Sequence, residues 1–367
     1  MTHDNAGLAQ FLRRDGATAV TMVLGVLVAL VWSAASWSGY HHAMDATWWH
    51  LSVASVVTNG LLTAFFFAVG LELSREARVG VLRQQSHWTA PVPAALGGML
   101  GTVAVSLTLA AWWHLPALRH GWGVSMSTDV AFVVAVVALA GPRTPVALRL
   151  FLLTLAIVDD IASLLVLGVT GTTRVHVLGL GLALVVLALL RWRRGVWWVP
   201  LAALVPLWAA LAYAGTEPAL AGIIVGLTIP ATPRAAVWEQ RAMLASTGLA
   251  LPLFALVACG LNWHDVTSGT SPRLVGAIVV TRLVGKVAGI SLAVVVARQF
   301  GVRIAADLRT RHIVAAGALC AMGFTVPLLF ASTDFGTASA TYGAVTVGLL
   351  VATLVGAVSG VALLRRR

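Results

Sequence analysis

Long apolar runs alternate with short polar connections along the whole chain. Windows of about 20 residues, the length that crosses a hydrocarbon core as helix, predict twelve spans near 17–37, 53–72, 90–112, 122–140, 146–170, 175–190, 196–214, 218–231, 243–262, 274–297, 312–332 and 341–363. The eighth is short, and the fourth and eleventh are interrupted by polar, Gly or Pro positions. The longest polar connections, around 73–89, 232–242 and 298–311, are too short to fold alone, so function must reside in the membrane. The pattern predicts an all-α membrane protein: a cytoplasmic tail over 1–16, then one polytopic membrane domain over 17–367.

Spans three to five and ten to twelve each form a triplet whose middle helix is interrupted. Seven spans separate them, an odd offset that inverts their orientation. Two inverted repeats with broken helices crossing near the midplane are the expected result.

Composition agrees. Of 367 residues, 59% are hydrophobic and 10% charged, with mean hydropathy +0.92, far outside the range of soluble domains. The net charge of +11 would suggest nucleic acid in a soluble protein. Here orientation explains it. With the N-terminus inside, nineteen arginines fall in inside segments, and only Arg119, Arg174 and Arg273 fall outside. Both termini are therefore expected in the cytoplasm, and no nucleic-acid partner is expected. Ala17 to Ser36 follows Arg13 and Arg14 and is long enough to span, so it reads as a first transmembrane helix rather than a cleaved signal. Cys259 and Cys320 lie in apolar segments and read as free packed thiols.

Asp159 and Asp160 sit inside the apolar run Leu148 to Val169, where each ionised carboxylate costs roughly 2.5–3.5 kcal/mol. Lys286, the only lysine in the chain, lies in the run Leu274 to Ala297. Two buried acids and a titratable base are the groups needed to exchange protons for a small cation. The two aspartates point about 100° apart on a helix yet can border one cavity. Sodium and lithium are hard cations that favour oxygen ligands; Asp159, Asp160, the Thr128 hydroxyl and freed carbonyls would suit them. Lys286 reads as a proton carrier alternating with the aspartates or as a structural counter-ion. Arg282, one turn earlier, is expected to stay charged and to pair elsewhere or snorkel.

The fourth span contains Ser125-Met-Ser-Thr-Asp129. An unwound stretch there would let Asp129 offset the positive ends of two half-helices; a locally satisfied bend is the blander reading. In the eleventh span Gly323, Thr325 and Pro327 cluster. Pro327 predicts a kink or an opening at Gly323, whose freed carbonyl is then a candidate cation ligand; an ordinary proline kink is the blander reading. Glu72, Arg75 and Glu76 share a helix face at the end of the second span, readable as surface ion pairing or as an acidic cation funnel.

At these residues the chain resembles the NhaA family of bacterial sodium/proton antiporters. The motifs run in order over nearly the whole length: Phe67-Ala-Val-Gly-Leu-Glu-Leu-Ser-Arg-Glu76, Ser127-Thr-Asp-Val-Ala-Phe132, Leu155-Ala-Ile-Val-Asp-Asp-Ile161, Leu220-Ala-Gly222, Gly285-Lys286 before Gly289-Ile-Ser291, and Leu319-Cys-Ala-Met-Gly-Phe-Thr325. The resemblance implies a core bundle over 90–170 and 274–363, panel helices over 17–72 and 218–262, and connecting helices over 175–214. It also implies electrogenic, pH-regulated exchange in the bacterial inner membrane, protons entering while Na⁺ or Li⁺ leaves. Asp159 and Asp160 would bind cation and proton, with Lys286 facing them. Thr128, Asp129, Gly323 and Thr325 would form the broken-helix crossing, and Glu72, Arg75 and Glu76 a cytoplasmic entrance tied to pH response. No cofactor is implied.

Four positions depart from the family pattern. Glu217-Pro218 stands where a histidine is common, Pro327 where serine is, and Ser74 where a basic residue is. The connection Ser36–Leu51 is short for the β-hairpin that joins family protomers, so homodimer and monomer both stay open. A sodium-coupled solute symporter is the nearest alternative. An intramembrane aspartyl protease lacks its Gly-x-Gly-Asp pattern here, and a prenyltransferase lacks spaced acidic clusters.

Overall fold

The computed structural model describes residues 20–48, 51–79, 89–130, 132–133, 136–137, 144–170, 176–192, 198–264, 271–302, 308–337 and 339–365. The expected tail over 1–16 and most of the fourth span after Val130 lie outside these residues. So do Arg13, Arg14, Arg83, Arg143, Arg174, Arg193, Arg194, Arg303, Arg366 and Arg367 of the arginine tally.

The described chain is nearly all helical. Its helices are α1 (Val20–Ala35), α2 (Trp37–Asp45), α3 (Leu62–Arg78), α4 (Pro91–Trp112), α5 (Pro116–His120), α6 (Val146–Thr170), α7 (Val177–Trp192), α8 (Val199–Ala214) and α9 (Leu220–Thr228). They continue with α10 (Pro233–Ala245), α11 (Leu251–Ala258), α12 (Pro272–Gln299), α13 (Thr310–Cys320), α14 (Thr325–Phe335) and α15 (Ala340–Arg365). The all-α expectation needs one correction. Strands β1 (Thr47–Trp48) and β2 (Leu51–Ser52) pair antiparallel, with Thr47 opposite Ser52 and Trp48 opposite Leu51. Two residues per strand give no periodicity to read in a sequence.

Among the described residues six helical runs are long and apolar enough to cross a membrane: Val53–Arg78, Pro91–Trp112, Ala147–Thr170, Pro233–Ala258, Pro272–Gln299 and Ala340–Arg365. The pair α13 and α14, bent by 46° at its break, makes a seventh, and α1, α7 and α8 are shorter apolar helices. Helix ends follow local chemistry. Proline occupies the first turn of α4, α8, α10 and α12, where its missing N–H has no helical partner to lose. The Thr232 hydroxyl caps α10 by accepting from the Ala235 N–H at 3.2 Å. Gly215, at φ 78°, ends α8 in the left-handed region open to glycine.

The second span runs past its expected end to Arg78 and the ninth starts earlier than expected, at Pro233; each contains a wide helical turn, Val56–Leu61 and Ser246–Ala250. Such a turn frees carbonyls from the ordinary ladder. That of Asn59 accepts instead from Trp208 Nε1 at 3.2 Å and from Thr63 Oγ1 at 2.5 Å.

The chain divides into two compact units. The first takes its described residues from Val20, 84–163 and 261–367, the second from 21–83 and 164–260. In the first, α4 and α12 pack along a seam of glycines. A Cβ on Gly289 would strike the Gly97 carbonyl, one on Gly101 the Gly285 carbonyl, and one on Gly285 the Thr102 backbone at 2.6 Å. Without side chains the two backbones approach closely, the device by which membrane helices gain dispersion contact. Gly289→Val should cost about 3 kcal/mol or more of stability, read as a lowered unfolding temperature in detergent.

The second unit uses the same device between α3 and α9. A Cβ on Gly70 would meet the Ile223 carbonyl at 2.6 Å, and one on Gly226 the Phe67 carbonyl at 2.7 Å. The end of α9 is then closed by α3: Ser74 Oγ donates to the Ile229 carbonyl at 2.6 Å and Arg78 Nη1 to the same oxygen at 3.0 Å. Tyr40 of α2 is buried and donates to the carbonyls of Leu256 and Val257 at 2.7 and 2.9 Å. Between α8 and α9, burial pushes the Glu217 carboxyl above its usual range, opposed by the Ala219 N–H it accepts. A raised acid stabilises below its unfolded pKa and loses that contribution as pH rises through the folded value. Wild-type unfolding temperature should therefore fall more steeply than that of Glu217→Gln as pH rises out of the ordinary carboxylate range.

Candidate functional site

The first unit gathers the buried charge. Helix α6 carries Asp159 fully buried, and Lys286 of α12, also fully buried, donates from Nζ to Asp159 Oδ1 at 2.7 Å and Oδ2 at 2.8 Å. Both carboxylate oxygens are thus held by one ammonium, the arrangement that lets two charges remain out of water. Asp160, the next residue, turns to another partner: its Oδ1 accepts from Ser127 Oγ at 2.9 Å, and it is partly accessible. The 100° step of the helix thus gives two adjacent acids different environments. Ser163 Oγ bonds the Asp160 carbonyl at 2.9 Å.

Ser127 belongs to an unwound stretch. A tight turn at Trp122–Ser125 ends, residues 127–129 run without helical bonding, and helix resumes at Val130. The eleventh span breaks likewise at 322–324, between α13 and α14. The two breaks are tied together: Thr128 Oγ1 donates to the Cys320 carbonyl at 2.8 Å and the Asp129 N–H to the Met322 carbonyl at 3.0 Å. Asp129 Oδ2 accepts from Thr325 Oγ1 at 2.5 Å and from the Thr325 N–H at 3.4 Å, so its charge sits at the N-terminus of α14.

Gly323 lies inside the second break, where a Cβ would collide with Arg282 Nη2 and stand 2.5 Å from the Ser127 carbonyl. Its carbonyl is not left bare, because Thr353 Oγ1 lies 3.4 Å away. The break also precedes Pro327 rather than following from it. Pro327 is the third residue of α14, where no intrahelical N–H bond is lost, so the expected proline kink is corrected to a break at Met322-Gly-Phe324.

Sequence reasoning gave one participant here no role and left the other between two. Ser127 was part of a polar cluster without a role. Arg282 does not snorkel: it is fully buried and donates to three carbonyls, Ala321 from Nε at 2.8 Å, Ser127 from Nη2 at 2.7 Å and Val124 from Nη1 at 3.3 Å. The hydroxyls of Ser125 and Thr281 are buried and have no partner among the described residues.

The second unit holds the remaining candidates. Arg75 pairs with Glu76 at 2.7 Å and, across to α10, with both oxygens of Glu239 at 3.1 and 3.2 Å. Glu72 lies one turn before Glu76 on the same helix, half-buried. Glu239 was not singled out in the sequence because its partner is 164 residues away. Arg75 is 37% exposed, so Arg75→Gln should cost no more than about 1 kcal/mol, measured as a shift in unfolding temperature. The two cysteines are free and buried.

Apolar helices in number, two mutually bonded helix breaks and a buried acid–lysine pair beside them define a polytopic membrane protein with a polar centre. The profile of the Na⁺/H⁺ antiporter 1 family matches residues 9–364. Na⁺/H⁺ antiporter NhaA 1 of Clavibacter michiganensis is 35% identical, the alignment covering 99% of this chain and 91% of the relative. NhaA 3 of Frankia alni is 33% identical, covering 97% and 88%. The fold also resembles the sodium proton antiporter MjNhaP1 from Methanocaldococcus jannaschii, with TM-score 0.59 over 95% of this chain and 91% of that one at 13% identity. The chain belongs to the Na⁺/H⁺ antiporter 1 family, as its ordered motifs implied.

Proposed function

We propose that this protein is an electrogenic Na⁺(Li⁺)/H⁺ antiporter of the bacterial inner membrane, with both termini cytoplasmic. Twelve spans and two inverted repeats are part of this reading, supported by the two broken segments that meet through Thr128 and Cys320. The observation that carries it is the buried pair Lys286–Asp159 next to a partly accessible Asp160. A cation reaching Asp160 meets an acceptor-only carboxylate already within hydrogen-bond reach of Ser127. Taking the Asp159 carboxylate as well gives a hard ion several oxygens, and it requires the Lys286 ammonium to leave that partner. Protons and cations thereby compete for the same carboxylates, which is the essential condition for exchange, and the site faces one side of the membrane at a time. Lys286 acts as a carrier in this scheme. Glu72, Arg75 and Glu76, joined by Glu239, form a charged cluster proposed to govern pH response.

The test uses everted vesicles with an imposed proton gradient, adding NaCl, LiCl or KCl from mildly acidic to mildly alkaline pH. Sodium or lithium should collapse the gradient in wild type and not in Asp160→Asn. No collapse with any salt at any pH would reject antiport and favour a sodium-coupled solute symporter.

A further inference from the structure

We infer that Arg282 is a positioning residue for transport: one guanidinium bridges the C-terminal ends of both broken segments, supplies their counter-charge, and so leaves Lys286 free to exchange. The inference rests on the antiport reading for its transport consequence and on geometry alone for its structural one.

Where a helix stops, its last carbonyls lose their partners and the end carries a partial negative charge. Two such ends meet here. The turn Trp122–Ser125 stops before Ser127, and α13 stops at Cys320. Arg282 addresses both, donating to Val124 and Ser127 on one side and to Ala321 on the other. Its planar fork is suited to this, because three donors can diverge toward three fixed oxygens; a lysine ammonium on a flexible stem is a point charge without that geometry. Gly323 completes the arrangement, since any side chain there would take the place of Nη2. The opposite end, at the start of α14, is served by Asp129, which accepts from Thr325.

The division of labour follows. Helix-end charge is met by Arg282 and Asp129, which leaves Lys286 to donate to both oxygens of Asp159. It can release Asp159 without dismantling the crossing. Ser127 links the two systems: its carbonyl accepts from Arg282 while its hydroxyl donates to Asp160. Arg282 therefore sets the position of a group that touches the proposed cation carboxylate, without touching the cation.

The test compares wild type, Arg282→Lys, Arg282→Met and Gly323→Ala by two measurements on the full chain. Hydrogen exchange of the amides at 126–129 and 321–325 reads the bridge itself. Sodium dependence of gradient collapse in vesicles reads its effect on transport. Arg282→Met and Gly323→Ala should speed exchange in both stretches and raise the half-saturating sodium concentration on the order of ten-fold. Maximal rate should change less, and Arg282→Lys should recover part of the affinity. A merely structural role would lower the amount of active protein and the maximal rate while leaving half-saturation unmoved. Should Arg282→Met fail to fold, Arg282→Lys decides: slower recovery of affinity than of folding supports the bridge, and wild-type half-saturation with wild-type exchange overturns it. If wild type itself shows no sodium response, antiport fails, and the exchange measurement alone judges the bridge: unchanged protection in Arg282→Met would overturn it.

Discussion

Replacing Lys286 with methionine should destabilise the protein by about 3–5 kcal/mol, because Asp159 would be left fully buried without its counter-charge. The cost lies in the stranded carboxylate rather than in lost attraction. Adding Asp159→Asn should therefore recover much of it, although each change alone removes the same ion pair. The double variant fills the site with an amide and a thioether of similar bulk, and buried pairs replaced together are often neutral. Thermal unfolding in detergent checks this. Additive losses in the double variant would mean that the two side chains contribute independently, contrary to the bidentate contact at 2.7 and 2.8 Å. Transport is expected to be lost in all three variants.

The second large effect concerns Asp160. Asparagine in its place keeps the shape and still can accept from Ser127, so the fold should hold. It cannot carry negative charge or exchange a proton. Losing one charged ligand should weaken sodium binding on the order of a hundred-fold, and transport should fall below detection. The contrast with Lys286→Met is diagnostic: Asp160→Asn should lose function with near-normal stability. A destabilised but active Asp160→Asn would reverse the roles assigned to the two aspartates.

Much of this site was legible in the sequence because charge inside an apolar run is costly and therefore conspicuous. Asp159, Asp160 and Lys286 announce themselves that way. Their pairing was less so: nothing in the chain says that Lys286 takes Asp159 and leaves Asp160 to Ser127. The breaks were legible as Ser127-Thr-Asp129 and the Gly323 region. The second opens at Gly323 as expected, but not through Pro327, which lies in the first turn of α14; Gly323, with no side chain to oppose Arg282, occupies the unwound stretch. Arg282 was left between pairing elsewhere and snorkelling, since a long cation one turn from Lys286 can do either, and the structure takes the first. Its acceptors are backbone oxygens, which leave no trace in residue identity. Glu239 was hidden for another reason, the distance along the chain to Arg75. The second span reaches Arg78 and the ninth starts at Pro233 because helix continues through polar residues such as Glu72, Arg75 and Glu239, which a hydropathy window leaves out.

The central claim is that sodium and protons compete for the aspartates. The direct measurement is proton release on adding NaCl to purified protein in weak buffer, with choline chloride as control. Wild type should release protons on sodium alone, and Asp160→Asn should not. Sodium binding without proton release, or release that persists in Asp160→Asn, would contradict the account.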